Sequence, residues 1–477
     1  MSSTNLTEAK YNMKSVWSLS FNASLGNFIL GYNMGVFTSC QPCVSATLEW
    51  GSNKDIYIMF MAAILSLGAM FGSMCSGTIA RRYGRRKALM ITDMLIIIGC
   101  GITIIPYTPG FAIGRIVTGF AVGIYTCVVP IYIRETAPVE VAGKVGGLVQ
   151  LQITSGIVIS YCLALALPTN DYDSDPLNYL WMALFGFQSL FAVLQFFILL
   201  TIFRRDTPQW LVEKGRYDEA LVSLKDIYND NEADTVFKRL KSNNKRSVVE
   251  VDRQSLIKGD EEPSYGEIIK CQNGLSKMVR LGILISLFQQ FSGINAILSF
   301  STTIFNSIGG TTFMSRVYTC VVGIVNMAST LGIFPLVERT GRKKLTLIGG
   351  VGMTVCLFLM GFFYDIGKDL GHAPPIICIL AFIVFYEGSI GPICWIYSGE
   401  ILASRAMSVC MFLNWLWTFI VILTFSPLVT LITMPGAFFV YAGVNLLGFF
   451  YFYFDMVETK GLDKGQIWTL LVKKQNL

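Results

Sequence analysis

Two adjacent glutamines, Gln289 and Gln290, open the stretch "QQFSGINAILSF" inside an apolar run long enough to cross a membrane. The same stretch carries Ser292, Gly293 and Asn295. Hydrocarbon has no hydrogen-bonding groups, so an unpaired amide at that depth costs on the order of several kcal/mol. Each carboxamide both donates and accepts hydrogen bonds, as the hydroxyl groups of an uncharged polyol do. These residue types therefore indicate recognition of a neutral, hydroxyl-rich solute in a water-filled chamber.

The overall composition indicates that the chain is a membrane protein, and that the helices which carry these amides lie in the membrane. Of the 477 residues, 53% are hydrophobic and 14% are charged, whereas soluble domains average about 25% charged residues. No nucleophile–base pair, metal-binding cluster or phosphate-binding loop emerges, so an enzyme is not expected. The single histidine argues against a histidine-rich metal site, and no cofactor is expected.

Apolar runs of roughly 20 residues, each enough to cross about 30 Å of hydrocarbon, predict an all-α membrane protein of twelve transmembrane helices. The runs lie at 15–37, 57–79, 88–107, 110–133, 145–167, 179–203, 278–306, 313–337, 345–365, 375–398, 407–432 and 436–455. The predicted organisation is a tail at 1–14, a six-helix half at 15–203, a linker with short amphipathic helices at 204–277, a second half at 278–455 and a tail at 456–477.

The basic residues predict which side of the membrane each loop occupies. Arginines and lysines concentrate after the second and eighth spans, in the linker and in the C-terminal tail. The opposite face holds only Lys54, Arg316 and Lys368. Both termini and the linker are therefore expected in the cytoplasm, and the membrane is expected to be the plasma membrane.

A short motif occurs once in each half. The stretch "RRYGRRKAL" at Arg81–Leu89 recurs as "ERTGRKKL" at Glu338–Leu345. A second, looser repeat places a glutamate at the cytoplasmic end of the fourth and of the tenth span, Glu135 and Glu400. The positive-inside rule explains the charges, but a glycine in the same place twice indicates two halves built on one plan, as in many secondary transporters. Arginines and glutamates at these ends are expected to form weak, breakable ion pairs that lock the cytoplasmic side.

The motifs together resemble those of the sugar porter family of the major facilitator superfamily, and are similar to those of the facilitative hexose carriers. The resemblance runs from about Asn27 to Ile467 and rests on eight segments: "GYNMGV" at Gly31–Val36, "ARRYGRRK" at Ala80–Lys87, "GRIVTG" at Gly114–Gly119, "DTPQWLVEKGRYDEA" at Asp206–Ala220, "QQFSGINA" at Gln289–Ala296, "VERTGRKKL" at Val337–Leu345, "GPICW" at Gly391–Trp395 and "VETKG" at Val457–Gly461. It implies a hexose carrier that works by alternating access. Its partners would be the sugar and the lipid bilayer, with no nucleic acid and no obligate protein partner.

The same resemblance implies roles for individual residues. Sugar is expected to bind the polar and aromatic set Gln150, Gln289, Gln290, Asn295, Asn326, Glu387, Trp395 and Asn414. A hydrogen bond to a neighbouring helix is an open alternative for Asn326 and Asn414. Gating and coupling are expected from Asn33, Arg115, Arg82, Arg85, Glu135, Arg339, Arg342, Glu400 and Pro392. Gly391-Pro392 is expected to break the tenth span, either as a moving gate or as a static kink.

Proton coupling needs a titratable group, and in the family's proton symporters a carboxylate stands where this chain has Asn33, beside the arginine that matches Arg115. Asn33 cannot titrate, so uniport of a hexose such as glucose is expected. Glu387 and Glu400 are the alternative proton carriers, and a proton-coupled sugar or inositol symporter and a non-transporting sugar sensor are the competing functions. The preferred sugar stays open, because Thr418, like Ser299 and Phe300, departs from the family's pattern.

Overall fold

A computed structural model describes residues 11–138, 140–168, 179–254, 276–307, 311–370, 373–402, 404–462, 466–467 and 470–471. The N-terminal residues 1–10 and the second part of the predicted linker, 255–275, lie outside this range. Within it, every element is helical, which confirms the predicted all-α class. Outside the helices, the described residues contain one isolated antiparallel β-bridge, between Tyr11 and Tyr228.

The helices of the first half and the linker are α1 (Met13–Thr47), α2 (Lys54–Tyr83), α3 (Arg85–Thr103), α4 (Thr108–Thr136), α5 (Ala142–Leu163), α6 (Leu180–Thr201), α7 (Pro208–Glu213), α8 (Tyr217–Lys225) and α9 (Asp230–Gln254). The second half contains α10 (Ser276–Gln290), α11 (Ile294–Ser307), α12 (Thr312–Thr340), α13 (Arg342–Leu370), α14 (Ala373–Glu387), α15 (Ile390–Ile401) and α16 (Ser404–Asp455).

Nine helical segments of the described chain are long and apolar enough to cross a membrane, and the last of them, 406–455, holds two of the predicted spans. That stretch is α16, whose backbone leaves the helical conformation at Ile432 and Thr433. The predicted first and third spans form α1 and α3, which fall outside the nine. The twelve-span arrangement is therefore recovered. The seventh span is divided into α10 and α11, the tenth into α14 and α15, and the last two spans are joined in α16.

The first helix extends beyond its predicted end at residue 37. Asn12 caps its beginning by accepting hydrogen bonds from the backbone N–H groups of Lys14 and Ser15, at 3.1 and 3.3 Å. Its last turns remain helical because they are buried, and Thr47 accepts a hydrogen bond from the indole of Trp181 at 3.1 Å. The apolar run alone could not reveal this extension, because tertiary packing and not hydropathy supports these turns.

The two halves meet along helices that also line the centre of the molecule. Helices α1 to α6 pack mainly on one another, and so do α10 to α16. Contacts between the halves are made chiefly by α2 with α16, α5 with α12 and α1 with α11. The candidate sugar site lies where these central helices are interrupted.

Candidate functional site

Four of the predicted sugar-binding amides form one buried cluster, here called the amide cluster: Gln289, Gln290, Asn295 and Asn414. Gln290 Nε2 donates to Asn414 Oδ1 at 2.7 Å, and Asn414 Nδ2 donates to Gln289 Oε1 at 2.9 Å. Asn295 Nδ2 donates to Gln290 Oε1. Gln289 Nε2 donates to the backbone carbonyl of Gly391 at 2.9 Å. The expected convergence of these amides is present, and in this conformation they hydrogen-bond to one another.

A break in the helix brings these amides together. The chain leaves α10 after Gln290 and re-enters a helix at Ile294, with Gly293 at φ +97°. This left-handed backbone favours glycine, because a Cβ there is strained and would lie 3.2 Å from the ring of Tyr441. The break lets Gln290 and Asn295, five residues apart, bond side chain to side chain.

A second group of predicted residues surrounds Glu387. Gln150 Nε2 donates to Glu387 Oε2 at 3.3 Å, and Thr330 Oγ1 donates to the same oxygen at 3.3 Å. The single hydroxyl proton of Thr330 is shared between Glu387 and the backbone carbonyl of Asn326, 3.0 Å away. The buried side-chain Oδ1 of Asn326 has no partner among the described residues. Gln150 belongs to the first half and Glu387 to the second, so this group joins the halves.

The remaining predicted binding residue, Trp395, is half-buried on α15. The expected break next to it lies at a slightly different place. The chain interrupts at Gly388 and Ser389, whereas Gly391 and Pro392 lie in the first turn of α15. Proline is tolerated there because the first-turn N–H groups have no acceptor within the helix. The interruption, and not the proline itself, separates α14 from α15.

The predicted coupling pair, Asn33 and Arg115, is not joined side chain to side chain. Asn33 exchanges hydrogen bonds with Gln188, donating from Nδ2 and accepting at Oδ1 over 3.2 Å. Arg115 donates instead to two backbone carbonyls, those of Met61 and Asn33, both at 3.4 Å. Its guanidinium also lies over Phe37, 5.2 Å from the ring centroid.

The predicted arginine–glutamate pairs are present at equivalent places in the two halves. Arg85 Nη2 lies 2.7 Å from Glu135 Oε1, and Arg342 Nη2 lies 2.8 Å from Glu400 Oε1. The second oxygen of Glu135 accepts a hydrogen bond from Thr207 at 2.5 Å. Thr459 donates to Glu400 in the same way at 2.6 Å. Each pair connects helices of one half, so in this conformation the pairs fasten each half internally and do not bridge the halves.

The repeated glycine of the two motifs has a shared structural reason. Gly84 and Gly341 adopt φ values of +94° and +97° at the start of α3 and α13. Asp206 accepts hydrogen bonds from the backbone N–H groups of Arg85 and Arg86, at 2.9 and 3.2 Å. Glu458 does the same at the N-terminus of α13. A carboxylate at a helix N-terminus is favoured by the helix dipole, although burial raises the pKa of Asp206 above its usual range.

The other two predicted gating arginines are exposed. Arg82 lies with its guanidinium 5.5 Å from the ring centroid of Tyr83. The backbone carbonyl of Arg339 accepts a hydrogen bond from Lys460 Nζ at 2.6 Å. No ion pair with either arginine occurs among the described residues, so their predicted gating role rests on the resemblance alone.

Further hydrogen bonds join the halves near the ends of α1 and α5. Leu298 offers its backbone carbonyl to two residues of the first half, Tyr161 at 2.9 Å and Thr38 at 3.2 Å. Gln41 donates to the carbonyl of Ser299 at 3.2 Å. These contacts lie on the face predicted to be external. They close that face in this conformation by hydrogen bonds from side chains to the backbone.

Arg316 closes the same face, although the sequence suggested only an external loop cation. Its side chain is fully buried near the start of α12, and it donates to the carbonyls of Leu167 and Pro168 at 2.6 and 3.0 Å. The residue therefore serves as a contact between the halves.

Several residues that contribute to these groups were not predicted. Gln188, Thr330 and the carbonyl of Gly391 complete the polar groups, and no pattern in the sequence distinguished them. Asp206-Thr207 and Glu458-Thr459 did carry a signal, since an acid followed by threonine comes after the last span of each half. Recognising that parallel would have predicted their shared role beside the two ion pairs.

Comparison with known proteins gives the family. A sequence model described as "Sugar (and other) transporter" matches residues 19–470. "Hexose transporter 1" of Plasmodium knowlesi is 28% identical over 467 residues, covering 93% of this chain and 90% of that protein. The "D-xylose-proton symporter" of Escherichia coli (strain K12) is 26% identical over 491 residues, covering 95% of each. The solved structure of the proton:xylose symporter XylE bound to 6-bromo-6-deoxy-D-glucose has the same fold, with a TM-score of 0.79 and 24% identity over 97% of this chain and 100% of that one. The chain therefore belongs to the family described as "Sugar (and other) transporter", and it is a multi-pass membrane transporter and not an enzyme.

Proposed function

We propose that this protein is a hexose uniporter, with glucose as a candidate substrate, and that the amide cluster is the centre of its sugar site. The observation that carries the proposal is the mutual pairing of Gln289, Gln290, Asn295 and Asn414. Amides that pair with one another can exchange those hydrogen bonds for bonds to the hydroxyl groups of a sugar at little net cost. A relative named as a hexose transporter supports the substrate class.

Glu387 and Trp395 complete the proposed site. Glu387 accepts from Gln150 across the halves, so a sugar inserted beside it would contact both halves at once. Trp395 offers an aromatic face to the apolar C–H surface of the sugar ring. A ligand shifts the equilibrium between the open and the closed arrangement of the halves only if it binds one of them more tightly. A sugar that contacts both halves meets this condition, because it makes all its contacts only when the halves are closed around it.

The transport cycle follows as rocking of two bodies, 15–203 and 278–455, joined by the linker 204–277. We place both tails, 1–14 and 456–477, and the linker in the cytoplasm of a plasma-membrane carrier, because the basic residues follow that pattern. Weak cross-half bonds such as those from Tyr161 and Thr38 suit a closure that must break in every cycle. The internal pairs Arg85–Glu135 and Arg342–Glu400 would keep each body rigid while it moves.

Uniport is proposed because the proton-coupling position lacks an acid. Asn33 is engaged with Gln188, and Arg115 bonds only to backbone carbonyls within the described chain. Radiolabelled glucose uptake by proteoliposomes, with and without an imposed pH gradient, tests this. Equal initial rates and no accumulation above the external concentration support uniport, whereas gradient-driven accumulation would refute it.

A proton-coupled symporter of a sugar or inositol is the second candidate, because one relative is named a D-xylose-proton symporter. Its proton carrier would be Glu387, a buried carboxylate with amide and hydroxyl neighbours and no cation among the described residues. Glu400 is a weaker choice, since it already pairs with Arg342. A non-transporting sensor would bind sugar and fail the same uptake experiment in both conditions.

A further inference from the structure

Two cysteines face each other across the boundary between the halves. Cys162 lies at the end of α5 in the first half, and Cys320 lies near the beginning of α12 in the second half. Their thiol groups interact directly, and neither is in a disulfide bond. Cys162 is exposed, whereas Cys320 is 5% exposed. The pair therefore combines one thiol that a small reagent reaches with a second thiol held beside it.

A hydrogen bond between the same two segments lies on one side of the pair. Arg316 donates to the carbonyl of Leu167, just after α5, at 2.6 Å. Cys320 follows Arg316 by four residues, and Cys162 precedes Leu167 by five. Each step is about one helical turn, forward along α12 and backward along α5. The two helices therefore run antiparallel at this point, and the cysteines are the next contact after the hydrogen bond.

A close approach of the two backbones lies on the other side of the pair. Gly323 follows Cys320 by three residues, and Val158 precedes Cys162 by four, so each lies on the same helix face as its cysteine. A Cβ on Gly323 would lie only 3.4 Å from the Cα atom of Val158. A disulfide bond needs Cα atoms about 4.4–6.8 Å apart. Helices that approach this closely one turn away bring the two cysteines within reach of that separation.

We propose that Cys162 and Cys320 form a reversible disulfide bond between the halves when the protein meets a peroxide. The thiolate of Cys162 attacks one oxygen of hydrogen peroxide, which gives a sulfenic acid and releases the other oxygen as hydroxide, and then as water. The thiol of Cys320 attacks the sulfenic sulfur, the S–S bond forms, and a second water leaves. Two thiols are oxidised and one peroxide is reduced to two waters. A dithiol reverses the step by thiol–disulfide exchange.

Such a bond would act on the closure to which the neighbouring hydrogen bonds belong. Tyr161, next to Cys162 in the chain, donates to the carbonyl of Leu298 across the halves. That hydrogen bond can break in every transport cycle, whereas a covalent bond cannot. Oxidation is therefore expected to hold this face closed and to stop transport until the disulfide is reduced. This consequence rests on the proposed function, but formation of the bond does not.

The test treats the purified full-length protein in detergent with hydrogen peroxide and maps disulfides by mass spectrometry of an unreduced digest. We expect linked peptides that contain Cys162 and Cys320, and their separation after dithiothreitol. Because the bond closes a long loop of the unfolded chain, the same treatment should raise the unfolding temperature by several degrees. Absence of the linked peptides, with Cys162 still a thiol or oxidised without a partner, would overturn the proposal. Neither measurement involves sugar.

Uptake by proteoliposomes connects the bond to closure. Peroxide should lower the initial glucose uptake of the parent at least several-fold, and dithiothreitol should restore it. Cys162→Ser and Cys320→Ser should each lose this response, judged against the same variant untreated. Cys75→Ser is the matched control, since Cys75 is an exposed cysteine of α2 within the first half, and it should keep the full response.

The outcomes separate the two proposals. Linked peptides without a loss of uptake would contradict the expected arrest of transport. A protein that forms the link but takes up no glucose even when reduced would contradict the proposed function alone, because the linked peptides and the raised unfolding temperature would still support the disulfide.

Discussion

Gln150 of α5 donates a hydrogen bond to Glu387 of α14 at 3.3 Å, and so joins the two halves through an amide and a carboxylate at the centre of the molecule. Thr330 donates to the same carboxylate oxygen at the same distance. Glu387 is therefore held in place by two neutral donors. This arrangement makes Glu387 the residue that best separates uniport from proton coupling.

Glu387→Gln is predicted to transport hexose within about fivefold of the parental rate. The amide keeps a carbonyl acceptor for Gln150 and Thr330, and exchanging charged for neutral hydrogen bonds costs about 1 kcal/mol, or roughly fivefold at most. Initial uptake and final accumulation by proteoliposomes, with and without an imposed pH gradient, measure the effect, with the parent beside the variant. If the parent accumulates sugar with a pH gradient and the variant does not, Glu387 carries the proton and uniport is wrong.

Loss of Arg85 should destabilise the protein more than loss of Arg342. The Glu135 side chain is 2% exposed and that of Glu400 26% exposed, so Arg85→Gln strands the more deeply buried carboxylate. We expect a loss of about 3–5 kcal/mol for Arg85→Gln and about 1.5–3 kcal/mol for Arg342→Gln. Thermal unfolding in one detergent ranks the two variants, with Arg280→Gln as an exposed control. Equal losses, or the reverse order, would contradict the role given to burial.

The glycines of the two repeated motifs should not tolerate a side chain. A Cβ on Gly84 would lie 2.1 Å from Asp206 Oδ2, and one on Gly341 would lie 2.6 Å from Glu458 Oε2. Gly84→Ala is expected to cost about 1–3 kcal/mol from backbone strain, together with the displaced cap. Gly341→Ala should cost less than Gly84→Ala. Gly77→Ala is the control, because nothing lies within 4 Å of its Cβ and alanine favours a helix. Parental stability in Gly84→Ala would show that the cap at Asp206 is dispensable.

Tyr161→Phe should loosen the face closed by α1, α5 and α11. It removes the hydroxyl that donates to the carbonyl of Leu298, a bond worth about 0.5–1.5 kcal/mol, which shifts the equilibrium between conformations by up to roughly tenfold. A cysteine placed at Ser299, in a background without reactive cysteines, should then react faster with an impermeant maleimide. Tyr397→Phe is the control, since its hydroxyl bonds to Val457 within one half. Unchanged labelling would show that Tyr161 does not hold this face closed.

Hydropathy and the repeated motifs predicted most of the fold, because spanning helices must be long and apolar, and a motif present once in each half indicates two halves built on one plan. They could not predict where the helices are interrupted. The break at Gly388-Ser389 lies before Pro392 because proline fits a first helical turn, and the polar end of α1 is helical through tertiary packing. Such features depend on contacts between distant segments, and local sequence does not record them.

The candidate site was predicted in its residue types but not in its connections. The sequence indicated amides facing a solute, and the described chain has them bonded to one another in this conformation. Arg115 does lie beside Asn33, as the sequence indicated, but it bonds to the backbone carbonyl of Asn33, and the Asn33 side chain pairs with Gln188. Differences of tenths of an ångström in distance decide which of several neighbours a side-chain amide hydrogen-bonds to. Those distances come only from the packed helices.

The most direct test of the account is equilibrium binding of radiolabelled glucose to purified protein, with unlabelled hexoses as competitors, in variants of the amide cluster. Gln289→Leu, Gln290→Leu and Asn295→Leu should each weaken binding by about tenfold or more, because each leaves sugar hydroxyls and neighbouring amides unpaired. Gln195→Leu is the matched control, a buried amide in the first half that bonds to the carbonyls of Asn22 and Ala23, and it should bind as the parent does. Parental affinity in all three cluster variants would contradict the claim that these amides hold the sugar.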